Sequence, residues 1–148
     1  MIAIGSDHGG FDLKQKVIAH LKERGLECRD YGCMDKSSCD YPVYGAAVAK
    51  AVASGECDQG IVICTTGIGI SITANKVKGI RCALCGDPVS ARLTREHNDA
   101  NVLAMGAAII GESVALSIVD IFLDTAFSGV DRHQRRVDLI EQCSALSE

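Results

Sequence analysis

The chain has 148 residues, a formal net charge of -4, 47% hydrophobic residues, 23% charged residues and 2 prolines. That length suits one domain, residues 1–148, with its own core, and the mixture excludes a disordered chain. A net negative charge without any Lys/Arg run excludes a nucleic-acid surface, and the longest uncharged stretch, 59–75, is interrupted by Gly67, Gly69 and hydroxyl residues, so no membrane span is expected.

In chain order, the apolar run 1–4 predicts a strand, with neither a basic segment nor a long apolar one before it, so a cytoplasmic protein is expected. Leu13, Val17, Ile18 and Leu21 mark one face of a helix that Gly25 ends. Residues 26–31 predict a second strand. Pro42 suits a helix start ahead of Val43, Ala47, Val48, Ala51 and Val52, and 60–64 predicts a third strand. A short helix over about 70–76, a strand over 80–85, a helix over 88–96, a strand over 102–105 and a helix over 113–123 continue the alternation. Such a pattern predicts an α/β fold, a single doubly wound Rossmann-like parallel sheet with helices on both faces. Val137, Ile140 and Cys143 share one face of an extra C-terminal helix over 132–146, expected to pack on a second subunit.

Ligands of such folds bind beyond the carboxyl ends of the strands. After the first strand, Gly5-Ser6-Asp7-His8-Gly9-Gly10 sets a carboxylate and an imidazole on flexible backbone. They either contact substrate, or Asp7 caps the next helix and His8 is merely exposed. After the third strand, Cys64-Thr65-Thr66-Gly67-Ile68-Gly69-Ile70-Ser71 lets backbone N–H groups approach an anion, without the spacing of a Walker A loop or a dinucleotide fingerprint. The Cys64 thiol faces those N–H groups, as an activated base or nucleophile or as a buried structural cysteine; thiols so placed ionise below the usual value of about 8.5.

A third cluster, 95–101, offers His97 for proton transfer beside Asn98, or simply ends a helix. Arg132 and Arg136, four apart, share a helix face and form a fork suited to a phosphate dianion, or a solvated helix start. The 8 cysteines are expected to be reduced thiols in a chain with a core this large. Cys82 and Cys85 read as members of a buried strand pointing to opposite faces, rather than as a zinc or redox pair. No His, Cys, Asp or Glu set has a dedicated ligand spacing, so neither metal nor cofactor is expected.

Taken together, Gly5-Ser6-Asp7-His8-Gly9-Gly10-Phe11, Asp40-Tyr41-Pro42, the Cys64–Ser71 loop, Ala74-Asn75-Lys76, His97-Asn98-Asp99-Ala100-Asn101-Val102-Leu103 and Arg132-His133-Gln134 resemble the type B ribose-5-phosphate isomerase family over nearly the whole chain. Galactose-6-phosphate isomerase subunits share much of the pattern. The resemblance implies a metal-free aldose-ketose isomerase working through a cis-enediolate. It gives Cys64 the role of base, because Ile70 stands where another subtype of the family has a glutamate. The N–H groups of Gly67, Ile68, Gly69, Ile70 and Ser71, with Asn98, would stabilise the enediolate. Thr66 and His97 would assist ring opening, Asp7 would hold hydroxyls, Tyr41 would line the pocket, and His8, Arg132 and Arg136 would bind the phosphate. Family members form dimers, sometimes tetramers, with the C-terminal arginines reaching the neighbour's site, so a homodimer or tetramer is expected.

Two positions depart from the pattern: Thr65 where many relatives with the cysteine have Gly, and Ala108 where an arginine is common. Ribose 5-phosphate is the expected sugar, against a six-carbon phosphosugar such as allose or galactose 6-phosphate. A non-catalytic module binding phosphosugar or nucleotide is the alternative of a different class.

Overall fold

The computed structural model describes residues 1–143. Five strands form one sheet: β1 (Ile2–Ser6), β2 (Cys28–Asp30), β3 (Gln59–Cys64), β4 (Cys82–Leu84) and β5 (Val102–Gly106), in the order β2-β1-β3-β5-β4. Every pairing is parallel, so each link crosses over through a helix. These helices are α1 (Phe11–Glu23), α2 (Tyr41–Ala53), α3 (Ile68–Ala74) and α4 (Pro88–Asn98); α5 (Glu112–Asp124) and α6 (Asp131–Cys143) follow the last strand.

Because helices cover both faces, β1 and β5 are buried throughout and β3 almost throughout, which is why they read as unbroken apolar runs. Alternate residues feed two cores. Ile4, Ile61, Ile63 and Leu103 pack with Val17 and Leu21 of α1 and with Ile118 and Phe122 of α5. Ala3, Val62, Cys64 and Ala104 pack with Val48 and Val52 of α2 and with Ile70 and Ala74 of α3.

The expected α/β architecture is what the chain adopts, with corrections at the ends of elements. Strand β2 is shorter than 26–31 and β4 shorter than 80–85, because Leu26, Ile80 and Cys85 pack into the cores from beyond the ladders. Cys85 therefore lies outside the strand, and Cys82 is only half-buried. Helix α3 starts before residue 70, since Gly67 caps it with φ +77°. The terminal helix packs against α4 of its own chain; residues 144–146 of the expected helix lie outside the described residues.

Two polar devices hold the frame. Lys14, fully buried on α1, donates to Asp30 Oδ1 at 2.8 Å, to Asp30 Oδ2 at 3.0 Å and to the Cys33 carbonyl. At edge strand β4, the Asn75 side chain donates to the Cys82 carbonyl at 2.9 Å and accepts its N–H at 2.8 Å. Among the described residues, no helix is long and apolar enough to cross a membrane.

Candidate active site

Strands β1 and β3 are neighbours, yet the chain leaves β1 toward β2 on one side and β3 toward β4 and β5 on the other. Their carboxyl ends thus flank the crevice where ligands of open α/β sheets bind. The N–H of Asp7 is donated to the Ile63 carbonyl at 3.3 Å, which sets this carboxylate beside the end of β3. Asp7 is 5% exposed, and its Oδ1 accepts the Gly10 N–H at 3.0 Å, capping the short 3-10 turn His8–Gly10. The capping role is therefore real, while Oδ2 has no hydrogen bond among the described residues.

His8 is exposed, and its Nδ1 accepts the Cys39 N–H at 3.2 Å. An Nδ1 that accepts assigns the proton of the neutral ring to Nε2, leaving a donor for an incoming oxygen. Sequence reasoning missed this part of Cys39; its place one residue before Asp40-Tyr41-Pro42 was the available signal. Tyr41 lies over the glycine loop: a Cβ on Gly69 would come within 2.5 Å of its ring.

Cys64 ends β3, 4% exposed, with the Gly67 N–H donated to its sulfur at 3.1 Å. Thr66 Oγ1 accepts the Ile68 N–H at 3.2 Å, and the Ser71 N–H bonds the Gly67 carbonyl at 3.2 Å. Of the expected backbone donors, those of Gly69 and Ile70 have no partner among the described residues. Asp7, His8, Tyr41, Cys64, Thr66 and the loop 67–71 thus belong to one edge of the sheet.

His97, Asn98, Arg132 and Arg136 belong to the other. Cys64 pairs with Gly106, whereas Gly60 pairs with Val102. Four strand steps, about 13 Å, separate the sulfur's level from the start of β5, next to which α4 ends. The cluster 95–101 was expected among residues following strands; instead it precedes β5 at the amino edge, because α4 runs back across the sheet. There the Asn98 carbonyl accepts from Arg81 Nε at 3.0 Å, and Asn98 borders a concavity of about 790 Å³ lined also by Lys76, Arg81 and Cys82.

His97 stacks on His133 of α6, ring centroids 4.4 Å apart and tilted by 39°. His133 is 6% exposed, and its Nδ1 lies 2.6 Å from Ser128 Oγ. Burial first, then His97, Arg132 and Arg136, hold its imidazole below the ordinary 6.5. Arg132 and Arg136 are exposed on α6. Burial pushes Cys82 up to about 12 and Cys85 up to about 11, so both are neutral thiols at physiological pH. Among the described residues, no group of three or more His, Cys, Asp or Glu side chains could hold a metal ion.

A parallel α/β domain with a thiol, a carboxylate and free backbone donors at its switch point is built as an enzyme for small molecules. Residues 2–140 match the Ribose/Galactose Isomerase family. The ribose-5-phosphate isomerase B of Escherichia coli (strain K12) is 52% identical over 139 residues, 94% of this chain and 93% of the relative. A galactose-6-phosphate isomerase subunit LacB of Clostridium acetobutylicum is 42% identical over 142 residues, 96% of this chain and 82% of that one. Among solved structures, the Clostridium thermocellum ribose-5-phosphate isomerase B superposes with a TM-score of 0.97 at 52% identity, covering 99% of both chains. The Trypanosoma cruzi type B ribose 5-phosphate isomerase gives 0.95 at 40% identity, covering 98% of both. The chain belongs to the Ribose/Galactose Isomerase family, among its type B ribose-5-phosphate isomerases.

Proposed function

We propose that this protein interconverts D-ribose 5-phosphate and D-ribulose 5-phosphate through a cis-enediolate, with Cys64 as the base. The observation that carries the reading is the 3.1 Å hydrogen bond from Gly67 to the Cys64 sulfur, beside Asp7 in the crevice. That bond holds the sulfur in one position at the end of β3. In the open-chain aldose, the sulfur takes the C2 proton and returns it to C1, while a proton passes from O2 to O1. Charge on the enediolate oxygens is met by the unpartnered N–H groups of Gly69 and Ile70. Asp7 Oδ2 holds a sugar hydroxyl, and Tyr41 closes the pocket over the glycine loop.

We infer further that each site is completed by a second copy of the chain. His97 and Asn98, with Arg132 and Arg136, stand at the edge opposite Cys64, and the His97 and arginine side chains needed for ring opening and phosphate binding cannot serve the same chain's sulfur across about four strand steps. Supplied by a partner in a homodimer, they and His8 would surround the far end of a five-carbon chain.

The test is exchange of the C2 proton of ribose 5-phosphate in heavy water, followed by NMR with a chelator present, for the wild type and Cys64→Ala. Exchange and ribulose 5-phosphate formation by the wild type alone are expected. Equal exchange by Cys64→Ala would remove the cysteine as base. The likeness to a galactose-6-phosphate isomerase subunit supports hexose 6-phosphates as the second reading, which a higher kcat/KM on them than on ribose 5-phosphate would establish.

A further inference from the structure

Thr65, between the base and Thr66, has no part in the chemistry described so far. Its main chain is held on both sides: the Thr65 carbonyl accepts the Ala108 N–H at 2.9 Å, and the Cys64 carbonyl accepts the Ala107 N–H at 2.9 Å. Its side chain leans across the crevice onto the β1 loop. A Cβ on Gly9 would lie 2.2 Å from Thr65 Oγ1 and 3.4 Å from Asp7 Oδ1, so residue 9 is a glycine where this hydroxyl takes the room. Thr65 is exposed, and its hydroxyl makes no hydrogen bond among the described residues. A β-branched side chain on a clamped backbone has few rotamers. The crevice therefore presents the Thr65 hydroxyl beside Gly9, on the side of Asp7.

We propose that Thr65 is a specificity-determining residue that reads the configuration of the sugar at C3. This rests on the isomerase reading above: with C1 and C2 at the Cys64 sulfur, C3 is the first carbon beyond the reacting pair, next to the Thr65 and Asp7 side. A C3 hydroxyl of the ribo configuration meets Thr65 Oγ1. Inverting C3 turns that hydroxyl away and leaves Oγ1 facing a C–H bond. Sites built to bond a hydroxyl reject analogues that do not supply it far more strongly than apolar pockets reject added groups.

The experiment measures kcat/KM for D-ribose 5-phosphate and D-xylose 5-phosphate, which differ only at C3, with the wild type, Thr65→Val and Thr65→Ser. The wild type is expected to prefer ribose 5-phosphate by about 100-fold or more. Thr65→Val, which exchanges the hydroxyl for a methyl, is expected to lower kcat/KM on ribose 5-phosphate by about tenfold and to narrow the preference by a similar factor. Thr65→Ser, which keeps the hydroxyl, is expected to restore most of both. Circular dichroism and the rate of C2 proton exchange at saturating ribose 5-phosphate check that the variants are folded with a working base.

A preference unchanged in Thr65→Val, or a serine variant as impaired as the valine one, would overturn the assignment to Thr65 and leave the isomerase reading standing. A wild type that turns over neither pentose phosphate would overturn both.

Discussion

The main-chain N–H of Cys39 is donated to Nδ1 of His8 at 3.2 Å, so the loop after β2 fixes which nitrogen of that imidazole faces a ligand. A backbone donor does this at the shorter distance; the Cys39 sulfur lies 3.9 Å from the same nitrogen. His8→Ala is expected to raise KM for the sugar phosphate by about tenfold or more with a smaller change in kcat, and Cys39→Ala to leave KM within about twofold. Steady-state kinetics of the two variants would separate the roles, and an equal loss in both would assign the positioning of His8 to the thiol rather than to the backbone.

A site shared by two chains makes inactive variants complementary. Cys64→Ala and His97→Ala are each expected to be inactive, yet subunits exchanged at equal ratio should recover about a quarter of wild-type activity. Half of the dimers are then mixed, and each mixed dimer has one intact site. A mixture as inactive as its parents would show that sulfur and imidazole belong to separate sites.

The Lys14 ammonium is fully buried and depends on Asp30 for its countercharge. Removing that charge in Asp30→Asn leaves a buried cation, which costs about 3 kcal/mol. For a chain of this size the expected fall in Tm is about 6 to 12 °C, read by calorimetry. A change below about 2 °C would mean that solvent already screens the pair.

His133 binds its proton less readily in the folded protein than in the unfolded chain, first because it is buried and then because His97, Arg132 and Arg136 surround it, with Glu96 opposing. Its contribution to stability is therefore complete above the ordinary 6.5 and is lost as pH falls below it toward the depressed folded value. Urea midpoints of the wild type should decline between pH 7 and pH 5, more steeply than those of His133→Phe. Parallel declines would place the acid sensitivity elsewhere.

The sequence made β1, β3 and β5 legible because strands buried on both faces are continuous apolar runs. The edge strands were read too long for a related reason: Leu26, Ile80 and Cys85 are core residues without being ladder residues, and hydrophobicity alone does not distinguish the two. Lys14 gave no sign of its burial, since a cation on a helix reads as solvated until Asp30 and the Cys33 carbonyl are found next to it. The loops after β1 and β3 could be named as one locus because glycines, a thiol and a carboxylate rarely gather at strand ends without use. Cluster 95–101 carried equally suggestive chemistry. Its residue types were evident, but which end of the sheet it occupies depends on α4 running 11 residues, about 16 Å, back to the amino edge.

The two hydrogen bonds between the Asn75 amide and the backbone of Cys82 have a consequence beyond the site. An amide side chain carries one donor and one acceptor at nearly the spacing of a peptide group, so on β4 it fills the slots that an invading strand would need. Asn75 thereby occupies the outward-facing N–H and carbonyl of Cys82 on edge strand β4, where an added strand would otherwise pair.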